Sequence, residues 1–197
     1  NGMKLIILSF DYTGKNVEAL AEEIGKWESI QMVSCQDQEE LEVSQAKDVE
    51  YIIASDKPEM REKVFMNLKD KNVQIATLIH PENYISEGTD IGAGCILHRG
   101  VIVYYDSTIG ENTVMKEYSS LSHDSKLGEH CVIMEKCTIG GYSQIGNNVF
   151  FSAATVAKDE LVIGNNVCTN PGAVVMKDIE PDQTVMGNPA RIIRKER

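Results

Sequence analysis

The sequence predicts two units in series: an α/β unit built on a parallel sheet over residues 3–80, then a parallel β-helix of hexapeptide repeats with a C-terminal tail over 81–197. Three patterns carry this reading. Short apolar runs alternate with amphipathic stretches up to Ile79, an apolar residue then recurs every sixth position from Ile85, and a glycine recurs every eighteenth.

In the first unit the apolar runs are Lys4 to Leu8, Ile30 to Ser34, Val49 to Ala54 and Val73 to Ile79, each the length of a strand. Between them lie Lys15 to Lys26, Gln38 to Ala46 and Pro58 to Lys69, which read as helices, the last with proline in its first turn. Strand and helix in alternation imply a parallel sheet of Rossmann-like, βαβ construction.

In the second unit every sixth residue is Ile85, Ile91, Leu97, Val103, Ile109, Met115, Leu121, Leu127, Ile133, Ile139, Ile145, Phe151, Ala157, Ile163, Thr169 and Val175. Four residues after each, the chain prefers small or β-branched residues, among them Cys95, Ser107, Thr113, Ser125, Cys131 and Ser143. Gly92, Gly110, Gly128, Gly146 and Gly164 add a period of eighteen, as if one corner of each coil required glycine. Three six-residue faces per coil make a triangular prism, with coils stacked about 4.8 Å apart. No coil buries its own core, so neighbours stabilise one another.

Composition narrows the function. A net charge of −11 without any Lys/Arg block argues against nucleic acid. Five cysteines without CxxC spacing suit reduced, buried thiols better than a disulfide framework or zinc site. The Leu5 to Leu8 run is too short for a leader or a membrane span, so a cytoplasmic location is expected.

One histidine falls where chemistry is expected. His123 lies two residues after the frame residue Leu121, near a turn and outside the prism, with Asp124 adjacent. An accessible imidazole can take the proton of an attacking amine or hydroxyl, and a neighbouring carboxylate can orient the ring. Gly141 stands eighteen residues on, one coil away, where its N–H could bind a thioester oxygen and the oxyanion that follows; a plain turn glycine is the alternative. His80, His98 and His130 show no paired-ligand spacing, and no metal is expected.

The chain resembles the bacterial hexapeptide-repeat acyltransferases that acetylate nucleotide-linked amino sugars, with sialic-acid O-acetyltransferases of the NeuD type as relatives. The resemblance rests on the strand and helix at Lys4 to Ala21, Leu78-Ile79-His80-Pro81, Ser122-His123-Asp124, Gly140-Gly141, Pro171-Gly172-Ala173-Val174-Val175, and Met186-Gly187-Asn188-Pro189-Ala190-Arg191. It implies a left-handed β-helix, a homotrimer, and acetyl-CoA lying between neighbouring prisms as acyl donor. His123 would activate the acceptor, Asp124 would hold His123, and Gly141 would receive the acetyl carbonyl. Lys158, Asp159, Gly172, Ala173 and Lys177 would follow the rest of CoA. Asp11, Thr13, Gly14, Lys15 and Ser55, in the first unit, would bind a sugar acceptor, expected to be linked to a nucleotide.

Two departures stand out. Relatives carry a Gly-rich, His-containing phosphate loop where this chain has Ser9-Phe10-Asp11-Tyr12-Thr13-Gly14-Lys15, and the Asp11 carboxylate would repel a pyrophosphate near the helix N-terminus. Relatives also often carry a histidine at the position of Val132. The alternatives are a sugar O-acetyltransferase with a non-nucleotide acceptor such as sialic acid, a metal-dependent hydratase, and a noncatalytic trimeric scaffold or sensor.

Overall fold

The computed structural model of the chain describes residues 2–36 and 41–195. β1 (Lys4–Ser9), α1 (Gly14–Ile24), β2 (Ser29–Ser34), β3 (Val49–Ala54), α2 (Pro58–Asp70) and β4 (Gln74–Ile75) follow in order, and the four strands form one parallel sheet in the order β2-β1-β3-β4. Leu5 and Ile7 pack with Val17, Leu20 and Ala21 of α1 on one face, while Leu8, Tyr51 and Ile53 pack with Val64, Phe65 and Leu68 of α2 on the other. A parallel sheet covered on both faces needs continuous apolar strands, which is why the centres of β1 and β3, Leu5 to Leu8 and Tyr51 to Ala54, read as unbroken runs. α1 stops where Gly25 takes a left-handed φ of 67° and returns its N–H to the Ala21 carbonyl at 3.1 Å.

Two expectations need correction. No helix forms over residues 41–46, and residues 38–40 of the expected Gln38 to Ala46 helix lie outside the described residues. Tertiary partners take the polar groups there: the Ser44 N–H donates to the Tyr51 hydroxyl at 2.7 Å, and Gln45 Nε2 donates to the Lys71 carbonyl at 2.8 Å. The run Val73 to Ile79 also divides. β4 closes the sheet, whereas β5 (Leu78–Ile79) pairs in parallel with Ile96–Leu97 of the prism. Leu78, Ile96 and Val114 thereby join the core of Leu5 and Ile7, so one apolar cluster spans both units.

Beyond β5, two-residue strands recur every six residues up to Val174–Val175. Each pairs in parallel with the strand eighteen residues away, as Ser120–Leu121 does with Thr138–Ile139, and the pairs build three sheets. Stacked parallel strands of this kind fit a left-handed parallel β-helix. The frame residues point inward and make a continuous core from Leu97 to Val175.

The small residues four places later are also buried, and they tie the coils together. Ser107, Thr113 and Ser125 donate to the carbonyls of Ser122, Gly128 and Gly140 at 2.8–3.1 Å, fifteen residues on. Cys131 makes the same link to Gly146 through sulfur at 3.1 Å. Cysteine here is a buried stand-in for serine, and burial pushes the Cys95, Cys131 and Cys137 thiols up to about 11, 12 and 11.

Two backbone devices turn the chain. From Gly88 to Gly172 every sixth residue has a positive φ, and most of these are not glycine. Asp and Asn tolerate that conformation, whereas Tyr118, Lys136, Tyr142, Ala154 and Glu160 adopt it against preference. Stacking holds them there, since each such N–H donates to the previous coil, as Tyr142 does to the His123 carbonyl at 3.1 Å. The glycines at spacing eighteen serve a different end. Their φ is ordinary, but a Cβ on Gly92 would stand 2.6 Å from the Glu111 nitrogen, and one on Gly110 would stand 2.6 Å from the Gly128 carbonyl carbon. The corner needs glycine because adjacent coils touch there.

After the last coil, Gln183–Gly187 extends one sheet in parallel and Ala190–Lys195 returns antiparallel. Across the junction Arg61 of α2 is wholly buried, donating to the carbonyls of Ile53, Gly94 and Asn112 and to Asn112 Oδ1 at 2.7–3.3 Å. Burial pulls its guanidinium down to about 10, yet it stays charged at neutral pH.

Candidate active site

His123 stands on a pinned turn. Its carbonyl accepts the Tyr142 N–H at 3.1 Å and the Ser125 hydroxyl at 3.2 Å, and Asp124, at φ 54°, donates its N–H to the Tyr105 carbonyl. His123 Nδ1 lies 2.9 Å from Asp124 Oδ2. An ionised carboxylate only accepts, so Nδ1 carries the proton and Nε2 presents a lone pair. The His123 side chain is 35% exposed, open enough for a ligand and enclosed enough to be oriented.

Spacing eighteen puts Tyr105, His123, Gly141, Asp159 and Lys177 in one column along a single corner. Tyr105 stacks on the imidazole with centroids 5.1 Å apart and planes at 12°. Tyr142 meets the ring edge at 5.1 Å and 89°. On the far side Gly141 leaves space: a Cβ there would sit 3.0 Å from His123 Cε1 and 3.1 Å from Nε2. The Gly141 N–H takes no partner among the described residues, and the same holds at other turns of this corner, so what distinguishes Gly141 is its missing side chain.

Sequence reasoning named His123, Asp124 and Gly141, which lie together, and missed both tyrosines. The signal for Tyr105 was the spacing that found Gly141, applied one coil backward.

The other named residues fall into three groups. Lys158 and Asp159 lie over Gly140 one coil on, and Lys177 lines an apolar groove of about 590 Å³ between the last coil and the C-terminal hairpin. Gly172 sits at a different corner with open space where a Cβ would be. Ala173 is fully buried, its N–H on the Asn170 carbonyl and its carbonyl taken by the Val156 N–H, so it presents no group to a ligand.

The first-unit residues close on themselves. Asp11 Oδ1 accepts the Thr13 N–H at 2.9 Å and the Thr13 hydroxyl at 2.6 Å, while Oδ2 accepts the Ser55 hydroxyl at 3.1 Å and the Asp56 N–H at 3.3 Å. Partial burial pushes the Asp11 carboxyl up, but these hydrogen bonds outweigh it and hold the group below its usual range. Thr13 and Ser55 are 1% exposed and Gly14 is buried; a Cβ on Gly14 would stand 2.7 Å from Met32 Sδ. Thr13, Gly14 and Ser55 are therefore packed into the loop and do not face an open crevice, which leaves Lys15 exposed beside them.

His80 and His98, one coil apart, share a groove of about 200 Å³ with Arg99. Each has its own carboxylate: His80 Nε2 to Glu23 at 2.6 Å, and His98 Nδ1 to Glu117 at 3.3 Å. The hydrogen bond from His98 holds the Glu117 carboxyl down at about 2. Among the described residues no three His, Cys, Asp or Glu side chains converge as metal ligands, and no helix is long and apolar enough to cross a membrane.

No protein-family model matches the chain, and no curated protein does. Solved structures do. The acetyltransferase domain of PglB from Neisseria gonorrhoeae, in complex with acetyl coenzyme A, matches at 21% identity and a TM-score of 0.91, covering 98% of this chain and 100% of that one. PerB from Caulobacter crescentus, in complex with CoA and GDP-perosamine, matches at 21% identity and a TM-score of 0.85, covering 98% and 97%. WeeI from Acinetobacter baumannii matches at 22% identity and a TM-score of 0.66, covering 96% and 100%. At these identities the likeness establishes the fold over nearly the whole chain.

Proposed function

We propose that the chain is an acetyl-CoA-dependent sugar acetyltransferase, with His123 as general base. The observation that carries this is the His123 ring itself. Asp124 fixes its tautomer, Tyr105 fixes its plane, and a glycine keeps the Nε2 edge open. The neighbours' bound acetyl coenzyme A and CoA support acetyl-CoA as donor.

On this reading the acceptor nitrogen or oxygen attacks the thioester carbonyl while His123 Nε2 removes its proton. Gly141 N–H faces the developing oxyanion, and the departing sulfur recovers the proton. Direct transfer needs no covalent enzyme intermediate, and burial holds Cys95, Cys131 and Cys137 as unreactive thiols. Lys158, Asp159, Gly172 and Lys177 are the residues assigned to the rest of CoA. The assignment extends to a homotrimer with CoA between prisms, to residues 3–80 as a Rossmann-like, acceptor-binding unit and 81–197 as the transfer unit, and to the cytoplasm, where the buried, reduced thiols of Cys95, Cys131 and Cys137 are at home. The GDP-perosamine bound to PerB puts nucleotide-linked amino sugars on the acceptor panel beside free sugars.

Free thiol release from acetyl-CoA against a panel of amino sugars, nucleotide-linked sugars and sialic acid tests the proposal. Turnover lost by about 100-fold or more in His123→Ala supports it. Equal turnover in the two proteins removes His123 from the reaction, and binding of CoA without turnover on any acceptor favours the scaffold reading.

A further inference from the structure

In a parallel sheet of order β2-β1-β3-β4 the topological switch point lies between β1 and β3, and ligands of such sheets bind at the carboxyl ends of those strands. A phosphate there would use the N-terminus of α1. In this chain the place is taken. The Asp11 carboxylate staples the loop after β1 to the loop after β3 through its four hydrogen bonds to Thr13, Ser55 and Asp56.

The buried cations nearby are spent as well, while Lys15 and Lys57 lie exposed at the surface of the same loops. Lys116, on a prism coil and with its side chain 4% exposed, pairs with Asp56 at 2.9 Å, and Tyr12 donates to the other Asp56 oxygen at 3.3 Å. Arg61 is bound to main-chain carbonyls and to Asn112. The Asp11 and Asp56 carboxylates already hold the buried donors of the crevice, and a pyrophosphate would have to displace an anion hydrogen-bonded there. Gly14 does not widen it, because its missing Cβ is filled by Ser9 and Met32.

Around His123 the opposite holds. Tyr105 and Tyr142 flank the imidazole with 48% and 57% of their surface exposed, offering aromatic faces on which the C–H face of a sugar ring can stack. Resting on the acetyl-transfer reading above, we infer that the acceptor is a sugar not linked to a nucleoside diphosphate, excluded in that form by Asp11 and recognised at the tyrosines beside His123.

The test separates binding from turnover. UDP and GDP are titrated calorimetrically into the wild-type protein, and thiol release is compared for free and UDP- or GDP-linked amino sugars. Dissociation constants above about 1 mM are expected for both nucleotides, with kcat/KM at least tenfold higher for a free sugar and KM raised more than kcat is lowered in Tyr142→Ala. Asp11→Ala, checked for fold by circular dichroism, is expected to bind UDP or GDP at least tenfold more tightly than wild type, with Asp11→Asn as the second variant where alanine unfolds the loop. A wild-type dissociation constant below about 100 μM, or a higher kcat/KM for nucleotide-linked sugars, overturns the inference; folded Asp11 variants that bind no better overturn the role given to Asp11. If no acceptor is turned over, acetyl transfer fails while the nucleotide titration still decides whether the crevice is closed.

Discussion

Two corners of the same prism use glycine for different reasons. At one, Gly92, Gly110, Gly128, Gly146 and Gly164 repeat because a Cβ would run into the backbone of the next coil. At the other, the column holds Tyr105, then His123, then a single glycine at 141, whose Cβ would meet the imidazole edge first, at 3.0–3.1 Å, and the His123 carbonyl oxygen at 3.3 Å. Repetition marks a requirement of stacking. A lone exception in a column of large side chains leaves room beside the imidazole, which is the room the proposed reaction needs at Gly141.

Substitution at the two corners breaks or sharpens this contrast. Gly110→Ala is expected to cost about 3 kcal/mol, because backbone must shift, and to lower Tm by roughly 10 °C in thermal denaturation. An unchanged Tm would end the distinction. At the other corner, His123→Ala should abolish turnover by about two orders of magnitude or more while Tm holds. Gly141→Ala should lose about tenfold in kcat through displacement of the ring, with Tm within about 2 °C of wild type. A large fall in Tm would assign Gly141 to the stacking class.

Asp124→Asn should lower kcat by a smaller factor, on the order of fivefold, because the imidazolium loses its counter-charge while an acceptor for Nδ1–H remains. Away from both corners, the Glu117 carboxyl is held at about 2 against a usual 4.5 by its hydrogen bond from His98. That contact stabilises the fold above pH 4.5, and the stabilisation is lost as pH falls through about 2. Glu117→Gln should flatten that acid limb of Tm against pH, by an amount kept small by the 38% exposure of the side chain.

The prism was legible because each inward position repeats the same local demand: Leu121, Ile139 and Ala157 can be placed from any one of them. The first unit was legible only where patterning is local, as in Lys4 to Ser9 and Pro58 to Asp70. Residues 41–46 are held by Tyr51 and Lys71, partners that no short-range pattern announces. The site divides in the same way. His123, Asp124 and Gly141 follow from adjacency and coil spacing, whereas the Lys116–Asp56 pair joins the two units across sixty positions and has no sequence signature. The Asp11 carboxylate in the loop Asp11 to Gly14 already raised, from sequence, the expectation that a phosphate is repelled there. That Thr13 and Ser55 are the carboxylate's own partners emerged only in three dimensions.

The left-handed turn at every sixth residue from Gly88 to Gly172 also sets a unit of length. Removing one residue from a coil would move every later side chain off its inward place and every later turn off the residue that supports it. Removing eighteen would return each to an equivalent place on a prism one storey shorter. Such a chain can exchange side chains position by position, but it can change length only in whole storeys, and His123 and Gly141 keep their geometry only if none is added between them.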